Sequence, residues 1–160
     1  MTVELVPVTP DIREACSESP KNLEVLLGLN VPEHWPEFPE AFDASFPFNK
    51  EWPSFLFVDR TINSVVGNGG YVGPPDTSGE VEIGFEVAPV FRNSGYATGA
   101  VHLLLKRAFQ YPAVKSVVAY TLPEKNASNS VLSKSKFVFD KVVDHGADGS
   151  VWRWVCRTRT

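Results

Sequence analysis

The sequence predicts one α/β (α+β) domain over residues 1–160, built on a mixed, mostly antiparallel sheet with helices on both faces. Three observations predict this fold. Apolar residues alternate along 80–88 and then recur at three-and-four spacing along 97–108, which indicates a strand followed by a helix. A short apolar run at 116–121 comes next, so the strands before and after the helix should lie parallel. Strand patterns at 55–59 and 64–72 precede the unit and predict an antiparallel meander.

The composition is that of a globular chain. Hydrophobic residues make up 43% of the 160 positions, which is enough for one substantial core. No apolar run approaches the roughly 18 residues of a membrane span, and the first residues do not resemble a secretory signal, so we expect a cytoplasmic protein without a membrane partner. A net charge of −4 without a basic cluster argues against a nucleic-acid partner. Cys16 and Cys156 lack metal-like spacing, and we expect no metal site.

The first thirty residues predict one strand and two short helices. Apolar residues at Val3, Leu5 and Val8 suggest the strand. Thr9-Pro10 and Ser19-Pro20 each resemble a helix start with Pro at the first helical position, which predicts helices at about 10–18 and 20–28. The leucines expected to face inward from the second helix are Leu23, Leu26 and Leu27.

The stretch 32–53 is rich in proline and aromatic residues, so regular structure should be broken there. Its ring-bearing side chains besides proline are His34, Trp35, Phe38, Phe42, Phe46, Phe48 and Trp52. Such side chains either cover a bound substrate as a lid or complete the core. The sequence leaves both roles open, together with a ligand-binding domain built on this stretch alone.

The second half predicts two helices and four strands. The buried stripe of the helix after 80–88 consists of Ala97, Val101, Leu104, Leu105 and Ala108. A further helix is expected at about 126–135 with Val131 and Leu132 inward. Strands at 137–139 and 151–155 should form a hairpin around the turn 146–149. The predicted order is β-α-α-β-β-β-α-β-α-β-β.

The join between the strand at 80–88 and its helix reads Arg92-Asn93-Ser94-Gly95-Tyr96-Ala97-Thr98. A glycine here lets the backbone approach a ligand closely, and the first-turn amides of the helix are unpaired, which is typical of an anion site. The spacing Arg-x-x-Gly-x-Ala resembles the acyl-CoA pyrophosphate loop of the GNAT superfamily of N-acetyltransferases. The wider string, Glu-Ile-Gly-Phe followed by Pro and Phe-Arg-x-x-Gly-Tyr-Ala-Thr, looks like the Rim-type ribosomal-protein acetyltransferase branch.

The resemblance implies acetyl-CoA as cosubstrate and a primary amine as acceptor. The resemblance further implies that the pantetheine arm of acetyl-CoA pairs with the backbone of Phe85, Glu86 and Val87, in a gap between the strands at 80–88 and 116–121. The pyrophosphate of acetyl-CoA should lie on the loop 92–98. The segment 122–137 resembles a second family signature, with Asn126 as a further contact to acetyl-CoA.

The second signature departs from the family pattern at three positions. Lys125 stands where the family usually has Asn, and Lys136 replaces the usual Gly. Leu132 stands where many members carry a Tyr that protonates the leaving thiolate. Ser128 or Ser130 is the candidate donor to the thiol instead, although Ser128 also suits a helix cap.

Glu82 and Glu86 are the candidate general bases, since an alkylammonium must lose a proton before it attacks a thioester. A structural role is open for each. The predicted activity is direct acetyl transfer without an acyl-enzyme, and the alternative is a CoA-binding sensor or interaction module. The sequence leaves open whether the acceptor is a protein N-terminus, a polyamine, an amino acid or a drug. It also leaves open the oligomeric state, a homodimer included.

Overall fold

The computed structural model describes residues 2–43, 48–123, 127–144, 146 and 149–158. The fold is built on one seven-stranded sheet. The strands are β1 (Glu4–Pro7), β2 (Ser54–Asp59), β3 (Ser64–Tyr71), β4 (Glu80–Val87), β5 (Ser116–Thr121), β6 (Val138–Asp144) and β7 (Ser150–Arg157). The helices are α1 (Pro10–Glu18), α2 (Asn22–Leu27), α3 (Tyr96–Ala108) and α4 (Ala127–Lys134), with short 3-10 turns at Pro39–Phe42 and Pro89–Phe91.

The strands lie in the order β1-β2-β3-β4-β5-β7-β6. Neighbours pair antiparallel except β4 and β5, which pair parallel as a strand–helix–strand crossover requires. This confirms the predicted mixed, mostly antiparallel sheet. The sequence does not reveal that β7 inserts between β5 and β6, which puts β6 at the edge.

Glycines let β3 lie very close to β4. A Cβ built on Gly67 would lie 2.2 Å from the carbonyl oxygen of Glu86, and one on Gly69 would lie 2.4 Å from that of Gly84. Any side chain at either position would therefore push the two strands apart. Asn68, between these glycines, is the residue that sends a side chain into the packed interior, where it is buried.

Two apolar layers cover the two faces of the sheet. The larger layer packs α3 and α4 on residues such as Val81, Ile83 and Val117, and Leu104 and Leu132 are fully buried within it. The smaller layer packs α1, α2 and the proline-rich segment on β2 and β3. Helices on both faces are thus confirmed. Within the described ranges, no helix is long and apolar enough to cross a membrane.

The second helix differs from its prediction. Ser19-Pro20 forms a turn rather than a helix start, because the amides of Asn22 and Leu23 bond back to the carbonyls of Ser19 and Pro20 at 2.9 and 3.1 Å. The helix begins only at Asn22. With six residues it has little more than one inward position, which Leu23 takes, and the prediction that Leu26 faces inward is wrong because that side chain is 48% exposed.

Strand β6 also runs further than predicted, to Asp144 rather than 139. Its register shifts between Phe139 and Lys141, so Asp140 interrupts the alternation that would have marked a longer strand. In the proline-rich segment Trp35, Phe42 and Trp52 are buried and belong to the two cores. His34, Phe38 and Phe48 are exposed, and Phe46 lies outside the described residues.

Candidate active site

The paired strands β4 and β5 separate just after Glu82. Their parallel pairing covers Glu80↔Ser116, Val81↔Val117 and Glu82↔Val118, while β4 continues to Val87 and β5 to Thr121. Beyond this fork the edge of β4 that faces β5 borders a gap. We use "the gap" for the space between the β4 segment 83–87 and the β5 segment 119–121.

The backbone of β4 presents polar groups to the gap. The Glu82 carbonyl accepts from Val72 N at 2.9 Å, and Ala88 N donates to Val66 O at 2.8 Å, so both of these groups point toward β3. Because a trans peptide is planar, the Ile83 N–H and the Val87 carbonyl point the opposite way. Strand alternation gives the N–H groups of Phe85 and Val87 the same direction, whereas the backbone of Glu86 turns toward β3.

The loop that follows β4 ends in an anion-binding geometry. Asn93 and Gly95 adopt left-handed conformations with φ of 60° and 84°, and Gly95 is the residue before α3. Among the described residues no side chain caps this helix, whose first internal bond is Gly99 N to Gly95 O at 3.0 Å. The first turn of α3 carries no acidic residue. Its amide dipoles are therefore left for an external anion.

The Tyr96 side chain anchors this helix start to the end of β2. Its hydroxyl donates to Asp59 Oδ2 at 2.5 Å, and Asp59 Oδ1 accepts from Thr61 N and Oγ1 at 2.8 and 2.6 Å. The Thr61 hydroxyl and then Tyr96 hold the pKa of Asp59 below its usual value, and the bond to Asp59 raises the pKa of Tyr96 to about 12. Only the backbone of Tyr96 is thus left for a ligand.

Glu86 holds a segment that we call the strap, residues 35–38. Its Oε1 accepts from Glu37 N at 2.8 Å and its Oε2 from Phe38 N at 3.1 Å. Trp35 Nε1 donates to Asn68 Oδ1 at 2.8 Å and fixes the other end of the strap. Burial raises the pKa of the Glu86 carboxyl, and the two backbone N–H bonds oppose that rise. Both carboxylate oxygens therefore serve the strap.

Glu82 occupies a different place on the same strand face. It is half-buried and belongs to the last residue pair before the fork. Of the two candidate bases, it is the one at the point where β4 and β5 separate.

Arg92 reaches back from the loop to β4 and the strap. Its Nε donates to the Val87 carbonyl at 3.1 Å, and its Nη2 donates to Glu37 Oε2 at 2.8 Å. The sequence placed Arg92 among the phosphate ligands. In the structure its guanidinium bonds to protein groups on two sides.

On the far side of the gap, α4 meets the end of β5. The Thr121 hydroxyl donates to Asn129 Oδ1 and accepts from Trp154 Nε1 at 3.0 Å. Leu132, whose hydrocarbon side chain carries no proton donor, is fully buried in the core. Ser128 is half-buried, whereas Ser130 is exposed on the outer side of the helix. Asn126, the predicted contact to acetyl-CoA, lies outside the described residues, as does Lys125.

The two cysteines are buried as free thiols. Burial, followed by the nearby charge of Glu86, raises the pKa of Cys16 to about 12, which leaves almost no thiolate at neutral pH. Among the described residues no group of three or more His, Cys, Asp or Glu side chains is arranged to hold a metal ion.

Among the described residues, the parallel strand pair of the sheet therefore forks beside a helix start that no side chain caps. The chain belongs to the acetyltransferase (GNAT) domain family, whose model matches residues 10–138. It is therefore an acyltransferase, as the loop at 92–98 predicted.

Relatives of this chain agree with that assignment. The uncharacterised N-acetyltransferase YjdG of Bacillus subtilis (strain 168) is 26% identical over 124 residues, which cover 71% of this chain and 73% of YjdG. Two solved structures share the fold at lower identity. A spermidine N-acetyltransferase SpeG chimera from Vibrio cholerae and human SSAT has a TM-score of 0.69 and 14% identity, over 98% of this chain and 96% of the other. RimL, a ribosomal-protein alpha-N-acetyltransferase solved with coenzyme A, has a TM-score of 0.70 and 13% identity, over 98% and 94%.

Sequence reasoning missed the strap and its anchors. Asn68 could have been recognised as an anchor from the sequence, because a polar residue between glycines of a buried strand needs a hydrogen-bond partner. Glu37 could not, since it lies in an irregular segment 55 residues away from its partner Arg92.

We predict that Tyr96→Phe lowers the melting temperature by several degrees at pH 7 through loss of the bond to Asp59. The folded-state pKa of Asp59 lies below the unfolded value of about 3.9, so the contribution is present above about pH 4 and is lost as the pH falls through the folded pKa. The pKa of Tyr96 rises to about 12, so the contribution is lost again as the pH climbs from about 10 to 12. Circular dichroism melts from acid to alkaline pH measure the difference between wild type and variant. A difference as large at pH 3 as at pH 7 would contradict the assignment.

Proposed function

We propose that this chain transfers the acetyl group of acetyl-CoA directly to a primary amine. The observation that carries the proposal is the gap, where, among the described residues, the edge of β4 beyond Glu82 has no strand partner on the β5 side and leads to the start of α3, which no side chain caps. An extended arm with amide groups fits the first feature, and a pyrophosphate fits the second. The names of the structural neighbours, a spermidine and a ribosomal-protein acetyltransferase, support an amine acceptor.

In this proposal the pantetheine arm lies along β4 and bonds to the N–H groups of Phe85 and Val87. The pyrophosphate lies on the loop, where it accepts from the amides of Asn93, Ser94, Gly95, Tyr96, Ala97 and Thr98. The residues present fit such a group, because the first turn of α3 has neither a capping side chain among the described residues nor an acidic residue that would repel phosphate. The acetyl group then lies nearer the fork than the phosphates do.

Glu82 is our candidate for the general base. An alkylammonium has a pKa near 10, so a carboxylate at the fork, acting directly or through water, would supply the free amine at neutral pH. Glu86 fits this role less well, because both of its carboxylate oxygens accept bonds from the strap. On the other side of the gap, Ser128 is better placed than Ser130 to hydrogen-bond the thiolate, since Ser130 is exposed.

Transfer is direct in this proposal. The free amine, whose ammonium proton Glu82 has already passed to solvent, attacks the thioester carbonyl, so that the C–N bond forms and the C–S bond breaks. The second proton that the nitrogen loses goes to the leaving thiolate, with the Ser128 hydroxyl or solvent as the relay, and CoA leaves as the thiol. A β4 backbone N–H that the arm leaves free, such as that of Ile83 beside the fork, would stabilise the developing oxyanion. Covalent transfer through Cys16 is disfavoured, because the thiol is buried and its pKa is about 12.

A screen of amine acceptors with release of free CoA thiol as readout tests the proposal. The panel should hold spermidine, a peptide with a free N-terminus, single amino acids and a primary-amine drug. We expect thiol release with at least one amine, sequential kinetics, and an unchanged intact mass when the protein is incubated with acetyl-CoA alone. Binding of CoA without any turnover would instead favour a CoA-binding sensor, and an acetyl adduct that is chased onto amine would overturn direct transfer.

We predict that Glu82→Gln lowers kcat/KM at neutral pH by about 10²-fold or more, the usual contribution of a positioned base. Without the carboxylate the rate should follow the fraction of deprotonated amine in solution and rise with pH toward the amine pKa near 10. The matched control is Glu80→Gln. This variant removes a carboxylate from the same face of β4, and in the wild type that carboxylate accepts a hydrogen bond from Arg153. If Glu82→Gln keeps the wild-type rate and pH profile, Glu82 is not the base.

A further inference from the structure

The guanidinium of Arg92 closes a ring of contacts around the end of β4. Starting on the strand, Glu86 accepts the amide of Glu37 at 2.8 Å, the carboxylate of Glu37 accepts Arg92 Nη2 at 2.8 Å, and Arg92 Nε donates to the Val87 carbonyl at 3.1 Å. Glu86 and Val87 are neighbours in the chain. The ring therefore joins the strap, the loop and the strand that borders the gap.

Resting on the function proposed above, we infer that Arg92 and Glu37 are positioning residues that fix the Val87 peptide and the strap, and that Arg92 does not serve as a phosphate ligand. The inference depends on which groups the guanidinium engages. A guanidinium presents its N–H donors in a rigid plane, so bonds from Nε and Nη2 fix its orientation. Turning Nε or Nη2 toward a phosphate would break the bond that this nitrogen makes.

The Val87 carbonyl needs such a donor. It points away from β3, because the N–H of the same peptide, at Ala88, is bonded to Val66 O. On that side the pairing with β5 has ended at Glu82↔Val118. The 3-10 turn at Pro89–Phe91 brings the chain back, with Phe91 N on Ala88 O at 2.9 Å, and returns Arg92 to the carbonyl. Arg92 thus replaces the missing strand partner and holds the last peptide of β4 in line with the gap.

Glu37 gives the same guanidinium its second attachment. Because the Glu37 amide donates to the carboxylate of Glu86, the side-chain carboxylate of Glu37 is held over the end of β4. The strap lies on the sheet face covered by α1 and α2, while the loop leads to α3 on the other face. The ion pair therefore connects the strap to the loop, so that a displacement of either one would move the Val87 carbonyl.

The pair contributes little to overall stability. The side chains of Arg92 and Glu37 are 42% and 53% exposed, and ion pairs this exposed add little to the free energy of unfolding. Variants should therefore fold and melt close to wild type. Their effect on catalysis can be separated from loss of structure.

The test compares two acyl donors, acetyl-CoA and acetyl-pantetheine, which lacks both the pyrophosphate and the nucleotide. We expect Arg92→Ala to lower kcat/KM about tenfold with either donor, because the Val87 peptide is released in both cases. Arg92→Gln, whose amide can still donate to the carbonyl, should recover part of the loss, and Arg92→Lys should recover less. Glu37→Gln should act in the same direction, and the double variant should be no worse than Arg92→Ala alone. Arg60→Gln is the control, since Arg60, in the turn after β2, pairs with Glu4 of β1 in a similarly exposed ion pair.

Two outcomes would overturn the inference. A loss confined to acetyl-CoA, restored by Lys and not by Gln, would make Arg92 a phosphate ligand. Additive losses in the double variant would mean that Glu37 and Arg92 act separately.

A second readout needs no turnover. Hydrogen exchange by NMR should be at least about tenfold faster at the Glu37 and Phe38 amides in Arg92→Ala, and unchanged in Arg60→Gln. If wild type were inactive with every amine, the proposed function would fail while this exchange test still decided the positioning role. Unchanged exchange at both amides would refute that role.

Discussion

The parallel pairing of β4 and β5 stops after three residue pairs, and the rest of the site depends on that early end. In a sheet covered on both faces, backbone N–H and carbonyl groups need partners. Along Ile83–Val87 the groups that point away from β3 border the gap. A ligand that offers amide groups in an extended arm can act there as a substitute strand, which is how a sheet becomes a binding site without a dedicated set of side chains.

Several contacts keep the fork open and aligned. Strand β5 is paired over its whole length with β7, from Ser116↔Arg157 to Thr121↔Trp152, which holds it on the far side of the gap. On the near side, the glycines of β3 keep β4 pressed against its other neighbour. Tyr96 fixes the start of α3 to Asp59, and Arg92 fixes the last carbonyl of β4. The start of α3 and the last carbonyl of β4 are therefore held by the same short stretch of chain.

The sequence predicted what depends on local pattern. The change of period from two to about 3.6 located β4 and α3, and the loop Arg92 to Thr98 between them identified the family. What it could not predict depends on distant contacts. Trp35 and Asn68 lie 33 residues apart, Glu37 and Glu86 lie 49 apart, and no local pattern reports such pairs. Two predictions for short elements were wrong for a related reason. Helix α2 is too short for the spacing of its leucines to define a buried face, and a bulge at Asp140 interrupts the alternation that would have predicted the full length of β6.

If acetyl-CoA places its pyrophosphate on the start of α3, as we propose, Gly95→Val should weaken the binding of acetyl-CoA, which calorimetry measures. Gly149→Val is a matched control, because Gly149 has a φ of 80° beside the 84° of Gly95 but lies in the turn between β6 and β7. Both substitutions place a β-branched residue at a positive φ. We expect more than tenfold weaker binding for Gly95→Val and wild-type binding for Gly149→Val. Unchanged affinity in a folded Gly95→Val variant would contradict the placement.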